Sequence, residues 1–328
     1  MSDPKPSLRG WNYTPNVPLQ VSPVFRLPLS PLAIFQWFWS RWFLISERLI
    51  LVGIAFAVMV WTQPPLEVTK TLSLDWIAQI WLRNVLLFTA ITGALHLYFH
   101  HYRKQGDRLK FDKRPLSEKG KQFTLGGQVR DNMFWSLASG VTVWTAYEVL
   151  MFWAMGNGWA PVLTWAQSPI WFVALFFLIP IWESFYFYWI HRLLHWPPLY
   201  KRVHSVHHRN VNVGPWSGLS MHPIEHVIFL GSVLIHWIVP AHPVHILYHM
   251  QYLTLTAATT HTGFEGLVVK DKNRLALGTF HHQMHHRYFE CNYGSLEIPW
   301  DKVFGSFHDG TEEAHQKMAE RRKRMAEA

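Results

Sequence analysis

The sequence predicts an all-α integral membrane protein: about four transmembrane helices plus a membrane-dipping helical hairpin, with a histidine-rich region for two metal ions behind them. Three observations carry this reading. Four long apolar segments are separated by short or basic connectors. Hydrophobic residues make up 49% of the chain and charged residues 16%, against about a quarter charged in an ordinary soluble domain. The 21 histidines gather mainly after the last long apolar segment.

The first apolar segment runs roughly Phe43–Trp61 and the second Trp76–Phe99, each close to the length a bilayer core needs. A basic connector follows, with Arg103, Lys104, Arg108, Lys110, Lys113, Arg114, Lys119, Lys121 and Arg130. The third segment is Met133–Met155 and the fourth Ile170–Ile190, interrupted by Pro180. The loop Gly156–Ser168 has no charged residue, and Thr62–Leu74 has only Glu67 and Lys70. The positive-inside rule then puts the connector, both termini and everything after His191 in the cytoplasm. A further apolar pair, Val227–Val239 and Val244–Thr256, is joined by Pro240-Ala-His-Pro243. Each arm is short for a straight span, so the pair reads as a hairpin dipping part way into the bilayer, with two tilted spans as the alternative.

The resulting division is 1–42 as an N-terminal cytoplasmic or interfacial segment, 43–100 as a first transmembrane hairpin and 101–132 as the basic connector. A second transmembrane hairpin occupies 133–190. The histidine-rich region is 191–310, containing the apolar hairpin 227–256, and a basic tail fills 311–328. Nineteen Trp and 22 Phe suit lipid-facing surfaces and membrane interfaces. The net charge of +9 sits in the connector and the tail, which fits anionic headgroups rather than nucleic acid. Cys291 is the single cysteine, which excludes an intrachain disulfide framework. Met1–Arg9 is polar and does not read as a signal peptide.

The histidines read His191-Arg-Leu-Leu-His195, His204-Ser-Val-His207-His208, His222-Pro-Ile-Glu-His226, His261-Thr-Gly, and His281-His282-Gln-Met-His285-His286. On a helix, positions i, i+3 and i+4 share a face, so H-x3-H offers two imidazoles to one centre and H-x2-H-H offers three. At this composition chance gives about 0.09 copies of H-x2-H-H, and the chain has two. H-x3-H alone is weak evidence, and the copy at His96–His100, with His101, is read as an interfacial cluster. A zinc site uses three or four protein ligands; eight or more positioned imidazoles imply two metals. Imidazole suits iron, copper, zinc and nickel alike. Glu225 and His226 are candidates to orient a ligand imidazole. His236, His242, His245 and His249 read as packing or helix-end residues, and His308 and His315 as solvated.

At these motifs the chain resembles the fatty acid hydroxylase/sterol desaturase superfamily of membrane-bound oxygenases. The resemblance rests on Tyr188-Trp-Ile-His-Arg-Leu-Leu-His195, Leu199-Tyr-Lys-Arg-Val-His-Ser-Val-His-His208, Trp216-Ser-Gly-Leu-Ser-Met-His-Pro-Ile-Glu225, His261-Thr-Gly-Phe264, His282-Gln-Met-His-His286, and Asn292-Tyr-Gly followed by Trp300-Asp-Lys-Val-Phe-Gly305. It covers about residues 170–310 and implies a cytoplasmic helical cap over the spans. His191, His195, His204, His207, His208, His282, His285 and His286 match the family's eight-histidine pattern. His261 and His222 match two further positions, and Asn292 and Asp301 match positions near the site. The acidic residue that members carry in the fourth span stands here, slightly displaced, as Glu183. The resemblance further implies two non-haem iron ions, dioxygen, a separate electron donor of ferredoxin or cytochrome type, and hydroxylation or desaturation of a sterol, fatty-acyl or related lipid.

Two rival readings make different demands. A metal-dependent lipid hydrolase needs one open zinc and a general base such as Glu225, which leaves most of the histidines unexplained. A metal transporter or sensor expects ionisable ligands inside several spans, whereas these histidines follow the last one.

Overall fold

A computed structural model describes residues 10–43 and 46–327. The reading of Met1–Arg9, and Leu44 and Ile45 of the first apolar segment, lie outside the described residues.

Helix starts follow the local chemistry. Helix α1 (Pro31–Phe38) has Pro at its first turn behind Ser30. Helix α2 (Glu47–Trp61) begins at Ser46, whose hydroxyl accepts from the Leu49 amide. At 15 residues it is about 22 Å long, shorter than the apolar run Phe43–Trp61. Helix α3 (Leu74–His101) and helix α5 (Pro169–Leu194) are long and apolar enough to cross a membrane. Helix α4 is a continuous run over 128–156 with a π-helical middle, Trp135–Val141. Arg83 of α3 and Glu148 of α4 form a buried ion pair, and the Asn84 amide and the Trp144 indole also donate to Glu148. A paired charge of this kind can sit inside an apolar bundle where a lone one cannot.

The apolar hairpin is the largest departure from expectation. Its first arm is helix α6 (Pro223–Leu230) prolonged by a 3-10 segment, Gly231–Trp237. Because a 3-10 turn rises about 2 Å per residue, this arm reaches about 26 Å. Its second arm, helix α7 (Pro243–Thr260), has 18 residues. The tip meets the loop before α5: the Leu163 amide donates to Ala241 O, the Trp171 indole to Pro240 O, and His245 Nε2 to Phe172 O. The hairpin therefore runs the height of α5. Helix α7 packs on α2, α3, α4 and α5 and is buried nearly throughout. That position shelters His245, His249 and Gln251, which its modest apolarity could not hold against lipid.

A second departure interrupts the all-α reading. Strands β1 (Gly266–Val269) and β2 (Lys272–Ala276) pair antiparallel across the two-residue turn Lys270-Asp271, both at positive φ, the backbone of a type I′ hairpin. Beyond it, helix α8 (Phe280–Tyr288) is started by Thr279, whose hydroxyl accepts from the His282 amide. Trp11 from the N-terminal segment and Phe111 from the basic connector pack with Phe280 and Met284 of α8. Both segments thus cover the outer side of the histidine region. Helix α9 (Glu312–Glu327) closes the described chain. His308 is buried, with its ring stacked on Tyr288, so it is not solvated; His315 packs on the same ring and is half-buried.

Candidate metal centre

The histidines arrive from four places. His191 and His195 sit one turn apart at the end of α5. The turn Tyr200–His204 and the short helix Ser205–His208 carry His204, His207 and His208. His261 caps the C-terminus of α7, and His282, His285 and His286 lie on α8. They form two groups: His191, His195, His204, His208 and His285, and His207, His261, His282 and His286. Within each group the ligand nitrogens lie within 4.8 Å of one another.

Each H-x2-H-H run divides between the groups rather than serving one. His204 and His208 join the first group while His207 turns to the second; His282 and His286 join the second while His285 turns to the first. The helical repeat explains it. Residues i and i+4 diverge by about 40° in one sense and i+3 by about 60° in the other, so the i,i+4 pair shares a centre and i+3 reaches its neighbour. The two segments are interlocked by this exchange.

The outer ring nitrogens fix the inner ones. His191 donates from Nδ1 to Tyr293 O at 2.6 Å, His285 to Cys291 O at 2.6 Å, and His261 to Ala257 O at 2.7 Å. A carbonyl only accepts, so Nδ1 holds the proton and Nε2 of each neutral ring keeps its lone pair. Burial keeps the rings neutral: it lowers His204 to about 3 and His207 to about 4. With the neighbouring imidazoles adding to it, burial holds His208, His261, His282, His285 and His286 well below the usual range.

Inside the groups, Nε2 atoms face each other closely. The separations are 3.1 Å for His191–His204, 3.1 Å for His195–His208 and 3.0 Å for His208–His285. His261, His282 and His286 form a triangle with edges of 3.0, 3.0 and 3.2 Å. A neutral Nε2 is either a donor or an acceptor. Among three mutual neighbours at least two are therefore alike, and at least one edge cannot be a hydrogen bond. A shared cation resolves the conflict, because every inward nitrogen can then offer a lone pair. Metal–imidazole bonds of about 2.0–2.1 Å also set neighbouring ligand nitrogens about 3 Å apart. The donor set fits metal ions.

His222 is not brought to either group. Its Nδ1 accepts from the Ile224 amide as the N-cap of α6, and its ring stacks against Trp135. His226 bonds Ser139 Oγ and Leu219 O, tying α6 to α4. Glu225 meets His204 Nδ1 at 2.7 Å. Burial raises its carboxyl to about 8. Asp301 accepts from the amides of Tyr293 and Gly294 at 2.8 and 2.7 Å and from Ser306 Oγ at 2.6 Å. The Asn292 side chain binds His281 O, His308 O and the His308 amide. Asn292, at φ +58, takes the left-handed position of this turn, rather than Gly294. The carbonyls of Cys291, Tyr293 and Ala257 are functional groups that sequence reasoning misses, since a backbone acceptor carries no residue signature.

A cavity of about 1080 Å³ opens onto the centre. His191, His204, His207, His261 and His282 line one part of it, and Phe187, Leu194, Met221, Phe229 and Leu253 give it apolar walls.

Comparison with known proteins agrees with this site. The family model for fatty acid hydroxylase matches residues 176–306, which hold every histidine of both groups. The chain is 30% identical over 160 residues to a Delta(7)-sterol 5(6)-desaturase of Aspergillus fumigatus, covering 48% of this chain and 44% of that one. It is 33% identical over 123 residues to the Delta(7)-sterol 5(6)-desaturase of Saccharomyces cerevisiae, covering 37% and 32%. With the Delta(7)-sterol-C5(6)-desaturase of Nicotiana tabacum the identity is 28% over 263 residues, covering 73% and 87%. The chain spans less than half the length of these fungal relatives. No solved structure matches. The histidine motifs, the family model and these relatives, whose names are those of oxidoreductases, agree: over residues 176–306 the chain is similar to the fatty acid hydroxylase/sterol desaturase superfamily.

Proposed function

We propose that this protein is a membrane-bound non-haem di-iron oxygenase that hydroxylates or desaturates a lipid, using dioxygen and electrons from a separate donor protein. The observation that carries the reading is the pair of histidine groups with inward Nε2 atoms on the wall of a cavity that has apolar walls beside them. His191, His195, His204, His208 and His285 would hold one iron, and His207, His261, His282 and His286 the other. Iron held there would activate dioxygen, the oxidant, to remove hydrogen from an unactivated C–H bond, with two electrons from the donor protein completing the reduction of dioxygen.

The chain supplies position. The carbonyls of Tyr293, Cys291 and Ala257 hold three of the rings in the metal-binding tautomer, and Glu225 orients His204. The apolar walls keep bulk water from the reacting carbon and align a lipid that arrives from the bilayer. In the same reading α2, α3, α4 and α5 span the membrane, and the basic connector, both termini and the metal centre face the cytoplasm. An acidic donor protein fits that basic face.

The test is the metal content of protein made in iron-replete cells and purified in detergent, followed by turnover of sterol and fatty-acyl lipids with and without dioxygen. About two irons per chain and an oxygen-dependent hydroxylated or desaturated product are expected. A single tightly held zinc with oxygen-independent lipid cleavage would overturn the reading.

A further inference from the structure

We infer that Glu183 recognises a hydroxyl group of the lipid, holding it apart from the iron centre so that an interior carbon reaches the histidines; this rests on the lipid-oxidation reading above. Glu183 lies on α5 eight residues before His191, about 12 Å along the helix axis. The positions of α5 that line the cavity are Pro180, Glu183, Ser184, Phe187, Ile190, His191 and Leu194. These recur at steps of three, one, three, three, one and three residues, a single helical face. Read along the helix, that face offers the Glu183 carboxylate beside the Ser184 hydroxyl, which is paired with Ser295 Oγ, then apolar wall, then a candidate metal ligand.

The carboxylate itself is half satisfied. Its Oε1 contacts Ser232 Oγ and His249 Nε2, and His249 Nδ1 meets His236 Nε2 at 2.9 Å. Its Oε2 is buried and has no hydrogen-bond partner among the described residues, and Glu183 as a whole is 4% exposed. A buried carboxylate oxygen without a donor is costly. Ser232 and the His249–His236 pair fix one side of the group, leaving the other for a ligand that donates.

The donor is best a neutral alcohol. Of the arginines that line the cavity, Arg48 is paired with Glu297. A lipid ending in a carboxylate or phosphate would add a negative charge beside Glu183. A hydroxyl supplies the missing hydrogen bond at no charge cost.

The inference is tested on iron-loaded protein in detergent by equilibrium binding of cholest-7-en-3β-ol and of cholest-7-ene, which has hydrogen in place of the hydroxyl. The wild-type protein is expected to bind the alcohol about tenfold or more tightly. Glu183→Leu should bring the two affinities together by weakening the alcohol alone. Equal affinities in the wild-type protein, or binding of neither compound, overturn the inference, and this arm needs no variant to fold. Glu183→Leu losing both ligands equally also overturns it. Iron content and oxygen-dependent turnover on the same preparation do not depend on that result, so failure of hydroxyl recognition is separable from failure of the oxygenase reading.

Discussion

Tyr293 and His191 meet through the backbone: the Tyr293 carbonyl accepts the Nδ1 proton of His191 at 2.6 Å, while the Tyr293 amide donates to Asp301 at 2.8 Å. One peptide segment thus links a buried carboxylate to a candidate metal ligand. Asp301→Ala removes the acceptor of three buried hydrogen bonds and frees the loop. Iron affinity should fall about tenfold or more and stability by about 2 kcal/mol. Metal titration and thermal unfolding check this, with circular dichroism expected to keep the helical signal.

The interlocked groups predict separable losses. His261→Ala strips one corner of the second group and leaves the first intact, so iron should fall from about two per chain to about one. His285→Ala acts on the first group and should spare the iron held by the second. Elemental analysis of each variant decides it; equal loss of all metal from both would mean that the groups fill only together.

His222 has a different expected signature. His222→Ala should leave iron content unchanged, because the ring caps α6 instead of facing a metal. Losing that cap should cost about 1 kcal/mol, read as a lower melting temperature.

Gly218 lies against α7 so closely that an added Cβ would stand 2.0 Å from Ala257 O, the carbonyl that holds His261. Gly218→Ala should cost about 1–3 kcal/mol from overpacking and lower occupancy of the second group before the first. Melting temperature and metal content, measured together, check both halves.

Much of the site was legible because histidine spacing and helical periodicity speak the same language. The two H-x2-H-H runs, His191–His195 and His261 all came to the centre. Spacing could not say which metal each imidazole faces, since i+3 and i+4 differ by an angle that matters only once a second helix is opposite. His222 resembled the others because a histidine beside proline can be a ligand or a cap, and only the position of α6 decides. The hairpin 266–276 was missed because Lys270-Asp271 is a poor advertisement for a turn that usually takes Asn-Gly. The apolar pair 227–256 looked short because its 3-10 stretch is longer per residue than an α-helix. The burial of α7 is a property of its neighbours, not of its own residues.

That burial has a consequence for how the molecule is made. Glu47, at the start of α2, contacts Thr259 near the end of α7, a partner 212 positions later in the chain. At about 5–20 residues per second of synthesis, α2 waits roughly 10–40 s for its partner to leave the ribosome. Until then its inward face is a guest of whatever surrounds the nascent chain. The protein is finished from its last third, and chains cut short before that point would leave their first helices without the element they are shaped to enclose.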